Sequence, residues 1–310
     1  MTLADTPGVH HVSAIAGDPQ RNAEFYVRAL GLRPVVRTVN FEEPFTYHLY
    51  YGDAAGAPGS VLTFFPYPHE VEGRDGRPSI HAVGLAVPEG SLSYWTDRLA
   101  DHGATVGTVR ERFGERVLPA TDPDGTHLEL VADGDHGRPV GGGPVPEERA
   151  VRGVRGVSVR STSPYVTASL LDTFGFDLVA ETDDAVRYRA AGRGSTVDIL
   201  TEETEYAREG TGSIHHVAFS VESEAALHEW RDLLADRGFD PSRVKDRHFF
   251  HSLYVRDPGG ILFELATESP GFEVDPEDDA PADDLRLPSS LEADRGMITD
   301  HLPPLSIPEW

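Results

Sequence analysis

The sequence predicts an α+β chain of four β-α-β-β-β modules that pair into two curved mixed sheets. Three observations predict it. Residues 80–130 and 215–265 repeat the same landmarks in the same order. Each of these stretches opens on strand-like apolar alternation, passes through an amphipathic helix and closes on an Asp-Pro-x-Gly turn before a last apolar strand. Two fainter copies of the same plan precede them, at about 8–67 and 153–200.

Taken in order, the first module (about 8–67) opens with the strand GVHHVSAIA. A helix follows from about Pro19 to Leu30, stopped by Gly31, and then strands at about 33–39, 45–52 and 60–66. The second (about 79–133) begins Ile80-His81-Ala82-Val83 and ends on Asp122-Pro123-Asp124-Gly125 and the strand carrying Glu129. Residues 136–151, rich in Gly and Pro, read as a linker. The third module (about 153–200) has a helix ending near Gly175 and strands near 176–181, 184–190 and 195–200. The fourth (about 212–267) begins His215-His216-Val217-Ala218 and ends on Asp257-Pro258-Gly259-Gly260 and the strand carrying Glu264. Its helix shows Leu227, Trp230 and Leu234 on one face, Ser223 as cap and Gly238 at the C-terminal end. The pairs His81/His216, Trp95/Trp230, Gly103/Gly238, Asp122/Asp257 and Glu129/Glu264 all keep an offset of 135 residues. Residues 1–135 and 152–268 thus each hold two modules, and the acidic, Pro-rich tail 269–310 is expected to wrap the surface with little regular structure.

Composition removes several functions. There is no cysteine, which excludes disulfides, thiolate metal sites and thiol nucleophiles. The net charge of -25 repels nucleic-acid phosphates and anionic lipid, so neither is expected as a partner. Lys245 is the only lysine, and an acidic surface so poor in lysine fits a protein working in concentrated salt, where the Debye length falls to about 3 Å. No apolar run reaches the roughly 18 residues of a membrane helix. The start MTLADTPGVHHV lacks a basic or apolar leader, so a cytoplasmic location is expected. A homo-oligomer, by default a dimer, is expected.

A His on the first strand of a module and a Glu on its last can supply two imidazoles and one carboxylate to a metal, leaving positions open for O₂ chemistry. The first module offers His11, the second His81 and Glu129, the fourth His216 and Glu264; the third has Gly156 where His11 aligns. His11 can serve only one site, so one metal per chain is predicted. The fourth module is the favoured partner, because His215 precedes His216 as His10 precedes His11, and Arg247, His248, His251 and Tyr254 lie ahead of Glu264. Pro119 stands at the Tyr254 position of the second module, so His81 and Glu129 read as remnants of a lost site.

The motifs GVHHVS (8–13), SIHHVAFSV (213–221) and DRHFFHSLYVRDPGGILFELAT (246–267) resemble the vicinal-oxygen-chelate superfamily of glyoxalases, bleomycin-resistance proteins and extradiol dioxygenases, and more closely its ring-cleaving (hydroquinone 1,2-) dioxygenase branch. The resemblance covers about residues 8–268. It implies a metal, Fe(II) or alternatively Mn(II), on His11, His216 and Glu264. It also implies supporting roles for His10, His215, Arg247 and Tyr254, with Ser13 where the branch usually carries Thr. The implied substrates are a small aromatic diol or hydroquinone and O₂. His10 or His215 would act as acid or base, Tyr254 would hydrogen-bond the ring oxygen and Arg247 would stabilise negative charge.

Strand alternation turns His10 and His215 away from the ligand face, which leaves a purely structural role as open to them as a chemical one. Arg247 in a surface ion pair and Tyr254 in the core are the corresponding bland readings. Two rival functions share the fold. A glyoxalase-like isomerase or lyase would need a second carboxylate, which the strand VLTFFPY (61–67) does not offer. A non-catalytic small-molecule-binding protein would have no use for the triad.

Overall fold

The computed structural model describes residues 3–272, 274, 282 and 284–309. Seventeen strands join in one continuous curved sheet, with short helices packed against it. The first module comprises β1 (Val9–Ala16), α1 (Pro19–Ala23), β2 (Arg33–Asn40), β3 (Glu43–Gly52) and β4 (Val61–Pro66). The second comprises β5 (Ser79–Val87), α2 (Leu92–Asp101), β6 (Thr105–Val106), β7 (Arg110–Arg112), β8 (Glu115–Thr121) and β9 (His127–Ala132). The third comprises β10 (Val154–Arg160), α3 (Pro164–Thr173), β11 (Phe176–Glu181), β12 (Ala185–Ala190) and β13 (Thr196–Leu200). The fourth comprises β14 (Ile214–Val221), α4 (Glu224–Asp236), β15 (Lys245–Asp246), β16 (Phe250–Arg256) and β17 (Leu262–Pro270).

Pairing follows the ligand inventory rather than chain order. β1 lies antiparallel to β14, closing one cup from the first and fourth modules. β5 lies antiparallel to β10, closing a second cup from the middle two. Within each cup the opening strands run parallel to the last strands of their own modules, β1 with β4 and β14 with β17 in the first. The halves touch where Ile214 meets Ile80.

Local sequence explains the helices. Ser223 Oγ accepts from the Ala226 N–H at 3.2 Å, and α4 buries Leu227, Trp230 and Leu234 as their spacing requires. Asp18 caps α1, with Pro19 in the first turn. The helix expected over 19–30 departs from expectation at Glu24–Ala29, which winds as a π-helix. The wider turn lets the consecutive residues Phe25, Tyr26 and Val27 all be buried, and aims the Tyr26 hydroxyl at Asp122 Oδ2, 2.8 Å away.

Residues 136–151 form no regular element but are packed, with Val140, Val145, Ala150 and Val151 buried and the Val140 N–H bonded to the Val151 carbonyl at 2.8 Å. The tail corrects a second expectation. β17 runs on to Pro270, and an α-helix, α5 (Arg295–His301), packs on β3. Tyr47 donates to the Pro303 carbonyl at 3.0 Å and Arg37 to that of Leu305 at 3.2 Å, so buried Ile298 and these anchors give the segment order its composition does not promise. The parts of the tail at 273, 275–281, 283 and 310 lie outside the described residues. No helix among the described residues is long and apolar enough to cross a membrane.

Candidate metal centre

β-Bulges build the centre. Between Val9↔Phe219 and His11↔Ala218 the register slips by one, and it slips again between Ser13↔His216 and Ala14↔Ile214. His10 and His215 are the extra residues at these two slips. A bulge re-aims side chains that strict alternation would send to the opposite face. Both extra histidines therefore turn toward their neighbours: His10 Nδ1 lies 2.9 Å from His11 Nδ1, and His215 Nδ1 lies 2.7 Å from His216 Nδ1. The reading of these two as pointing away from the ligands is corrected by this geometry.

With their Nδ1 atoms so engaged, His11 and His216 present Nε2 inward. His216 Nε2 is 2.8 Å from Glu264 Oε2, His11 Nε2 is 3.3 Å from it, and the two Nε2 atoms are 3.4 Å apart. All three residues are buried, Glu264 at 0% exposure. Apart from these two imidazoles, neither Glu264 oxygen has a hydrogen-bond partner among the described residues. Sealing a carboxylate from water with only two neutral imidazoles beside it costs several kcal/mol unless a cation compensates it. Ligand atoms about 2.0–2.2 Å from one ion and mutually at right angles stand roughly 3 Å apart, as these do. The donor set therefore fits a divalent metal held on one face.

Electrostatics agree. Burial alone would raise the Glu264 carboxyl, but the two imidazoles beside it hold it well below its ordinary value. Burial lowers His216 despite Glu264, and lowers His10 to about 3, with His11 adding to the effect. Both rings are therefore neutral at pH 7, and His216 is in the form a metal requires.

A pocket of about 400 Å³ opens above the three residues. His215 lines it, whereas His10 lies beneath, buried against Phe250 at 5.3 Å between ring centroids. Arg247 Nε donates to the Tyr254 hydroxyl at 3.3 Å, and the Tyr254 ring meets His216 edge-on at 5.6 Å. Tyr254 is raised by burial, with Glu264 adding to the effect. Ser13 does not touch the triad; its hydroxyl meets Thr63 Oγ1 at 2.7 Å. His248 sits in a turn at φ 67, and His251 faces Glu224 at 3.7 Å, so neither joins the site.

Three participants escaped the sequence reading. His48 Nε2 meets Thr63 Oγ1 at 2.9 Å, and the Tyr50 hydroxyl meets His48 Nδ1 at 2.9 Å, giving a Ser13–Thr63–His48–Tyr50 chain along the wall. Burial lowers His48 well below its ordinary value, with His11 adding to the effect. The only available signal was the alternation of β3, which places His48 and Tyr50 on the same face of that strand.

His81 needs a further correction. Val83 pairs with Leu128 as Val217 pairs with Phe263, so His81 occupies the bulge position of His215, and Ala82 occupies that of His216. His81 was therefore misaligned as a lost ligand. It lies 3.0 Å from Asp75 Oδ1 and 3.4 Å from His127 Nδ1, a cluster that already holds a cation. Arg160 Nη1 is 2.8 Å from His81 Nδ1 and bonds Asp75. Glu129 is gripped by Arg112 and Arg110 at 2.5 and 2.7 Å.

Comparison with known proteins identifies the family of the chain. The sequence profile of the Glyoxalase/Bleomycin resistance protein/Dioxygenase superfamily matches residues 8–130 and 170–265. A Bacillus subtilis (strain 168) protein named as a candidate ring-cleaving dioxygenase, MhqE, is 39% identical over 306 residues, covering 97% of this chain and 99% of its own. A Sphingobium indicum protein named chlorohydroquinone/hydroquinone 1,2-dioxygenase is 32% identical over 302 residues, covering 92% of each. The crystal structure of a dioxygenase candidate from Bacillus subtilis superposes with a TM-score of 0.93 at 36% identity, over 99% of both chains.

Proposed function

This chain belongs to the Glyoxalase/Bleomycin resistance protein/Dioxygenase superfamily, and on that premise we propose that it is a metal-dependent ring-cleaving dioxygenase acting on an aromatic diol or hydroquinone. His11, His216 and Glu264 would hold the metal, Fe(II) in first place and Mn(II) as the alternative. The observation that carries the proposal is the convergence of three buried ligand atoms within 3.4 Å, around a carboxylate that has no further hydrogen-bond partner among the described residues.

Such a metal, when bound, supplies open positions for a ring oxygen and for O₂ together and lowers the pKa of that oxygen. The remaining work falls to the chain. His10 and His215 hold the Nδ1 atoms of the two ligand histidines and so fix which ring nitrogen faces inward. Of these two only His215 reaches the pocket, so it is the one placed to take the ring-hydroxyl proton, while His10 supports from beneath. The raised Tyr254 phenol stays protonated at neutral pH and donates to the ring oxygen, with Arg247 holding its oxygen in place. His48, kept neutral and tied through Thr63 to Ser13, offers a second proton store on the opposite wall. Phe65 and Phe250 give the ring apolar surfaces.

The isomerase reading lacks its fourth ligand. Ser13 pairs with Thr63 as Ala218 pairs with Glu264, so the position opposite Glu264 carries an uncharged hydroxyl. The test is anaerobic reconstitution with Fe(II) or Mn(II), then addition of air and a panel of hydroquinones and catechols. Stoichiometric O₂ uptake with loss of the aromatic absorbance is expected. Tight metal binding without uptake across the panel rejects the proposal.

A further inference from the structure

The pocket above the triad carries a lopsided charge. Glu42, Glu43, Glu70 and Glu209 line it against a single guanidinium, that of Arg247. That guanidinium is already engaged, because Arg247 Nη1 lies 3.6 Å from Glu42 Oε1. The same oxygen holds Lys245 Nζ at 2.5 Å. Both cations lie over the Tyr254 ring, at 5.4 Å for Lys245 and 5.3 Å for Arg247. Glu42 comes from the turn between β2 and β3, about 200 residues away in the chain, and its backbone N–H is held by Asn40 Oδ1 at 3.1 Å. The bond from Lys245 holds the Glu42 carboxyl below its ordinary value, with Arg247 adding to the effect, so it is ionised at neutral pH.

We propose that Glu42 is a specificity-determining residue. By occupying Arg247, with Lys245 holding it in place, Glu42 denies a carboxylate-bearing ring the one cationic anchor that lines the pocket and reserves the site for uncharged diols. The proposal rests on the dioxygenase reading for the diol itself. A ring acid would have to displace from Arg247 a carboxylate that Lys245 tethers, and also enter the field of three further glutamates. An uncharged hydroquinone meets neither obstacle, and finds Phe41, Phe65 and Phe250 instead.

The test compares hydroquinone with 2,5-dihydroxybenzoate, the same ring bearing one carboxylate. Calorimetry under argon reads their affinities for protein reconstituted with redox-inert Zn(II), and in parallel for metal-free protein. The wild type is expected to prefer hydroquinone by about tenfold or more, and Glu42→Gln to narrow that ratio by roughly three- to tenfold through tighter binding of the acid. The gain should vanish in Glu42→Gln/Arg247→Ala and shrink in molar salt. An unchanged ratio in Glu42→Gln, a wild type that prefers the acid, a gain that survives loss of Arg247, or no binding of either ring overturns the proposal. O₂ uptake by Fe(II)-loaded wild type is a separate readout: its absence removes the dioxygenase reading, while the Zn(II) ratio still decides the role of Glu42.

Discussion

The two cups of this protein share one backbone plan and differ in the side chains at their floors. In the cup of β1 and β14 the register places His11, His216, Thr63 and Glu264 at its four inward positions. In the cup of β5 and β10 the same positions carry Gly156, Ala82, Asp198 and Glu129. Both imidazoles are gone from the second cup, and Thr63 is answered by a carboxylate. Two buried carboxylates then need a positive charge, and Arg112 supplies it, reaching Glu129 Oε2 at 2.5 Å and Asp198 Oδ2 at 3.0 Å. Arg187 pairs with the other oxygen of Asp198 at 2.7 Å, and Arg155, at the bulge position of His10, binds Glu115 and Asp133. On the proposed function the first cup takes an exchangeable cation at its floor; the second carries its own on a side chain, and only about 10 Å³ of space remains beside it.

The sharpest way to break this comparison is to make the same change in both floors. Glu264→Gln should lose bound metal, read by elemental analysis, and O₂ uptake should fall to background. Glu129→Gln should keep both, because its partner is an arginine. Retained metal in the first variant would end the assignment of the triad.

Rebuilding the second floor should fail for a steric reason. A Cβ at Gly156 would lie 2.0 Å from the Thr196 carbonyl oxygen, so backbone must move before any side chain fits. Gly156→His with Ala82→His should gain no metal and should cost about 3 kcal/mol or more in a urea titration.

Arg112 and Arg247 occupy matching places ahead of Glu129 and Glu264, so truncating each separates structure from function. Arg112→Ala strands two buried carboxylates and should cost about 3–5 kcal/mol, with part of the loss restored by added guanidinium. Arg247→Ala should cost less than about 1 kcal/mol, since its Glu42 partner is mostly exposed, but it should lower turnover.

Tyr254→Phe removes a hydroxyl that Pro119 of the second cup never had. Metal content should hold while kcat falls about ten- to a hundredfold, the worth of one hydrogen bond to a charged oxygen.

The mildest contrast is with pH, on metal-free protein. His10, at about 3, and His215, at about 4, titrate below the ordinary histidine value of 6.5. The unfolded chain therefore takes up protons that the folded cup refuses, and stability present above pH 6.5 is lost as pH falls toward 3. Glu129, which burial would raise but Arg112 holds below 4.5, surrenders its contribution only under more acid conditions. Hydrogen-exchange protection should thus drop further in β1 and β14 between pH 7 and 5 than in β5 and β10, where burial also lowers His127 and His136. Equal loss in both would remove the contrast.

Much of this was legible in the chain because it depends on residue type and short spacing. The module plan follows from apolar periodicity and turn chemistry. His11, His216 and Glu264 follow from counting which modules offer a nitrogen or a carboxylate at strand positions, and His11 selects the fourth module because His215 and Tyr254 accompany it. What depended on register was not legible. A single extra residue in a strand reverses the face of every side chain beyond it. The bulges at His10 and His215 therefore decided that those rings meet His11 and His216, and the matching slip at His81 decided that it does not stand where His216 does. His48, Thr63 and Glu42 come from the hairpins of the first module, and nothing local to them names the fourth as their partner. Arg112 in the place of an ion is likewise a decision of tertiary structure. Sequence fixes which charges a strand can bring inward, whereas only the closed cup fixes which of them are sealed from water together, and so which are neutralised by a neighbour and which are left open to a metal.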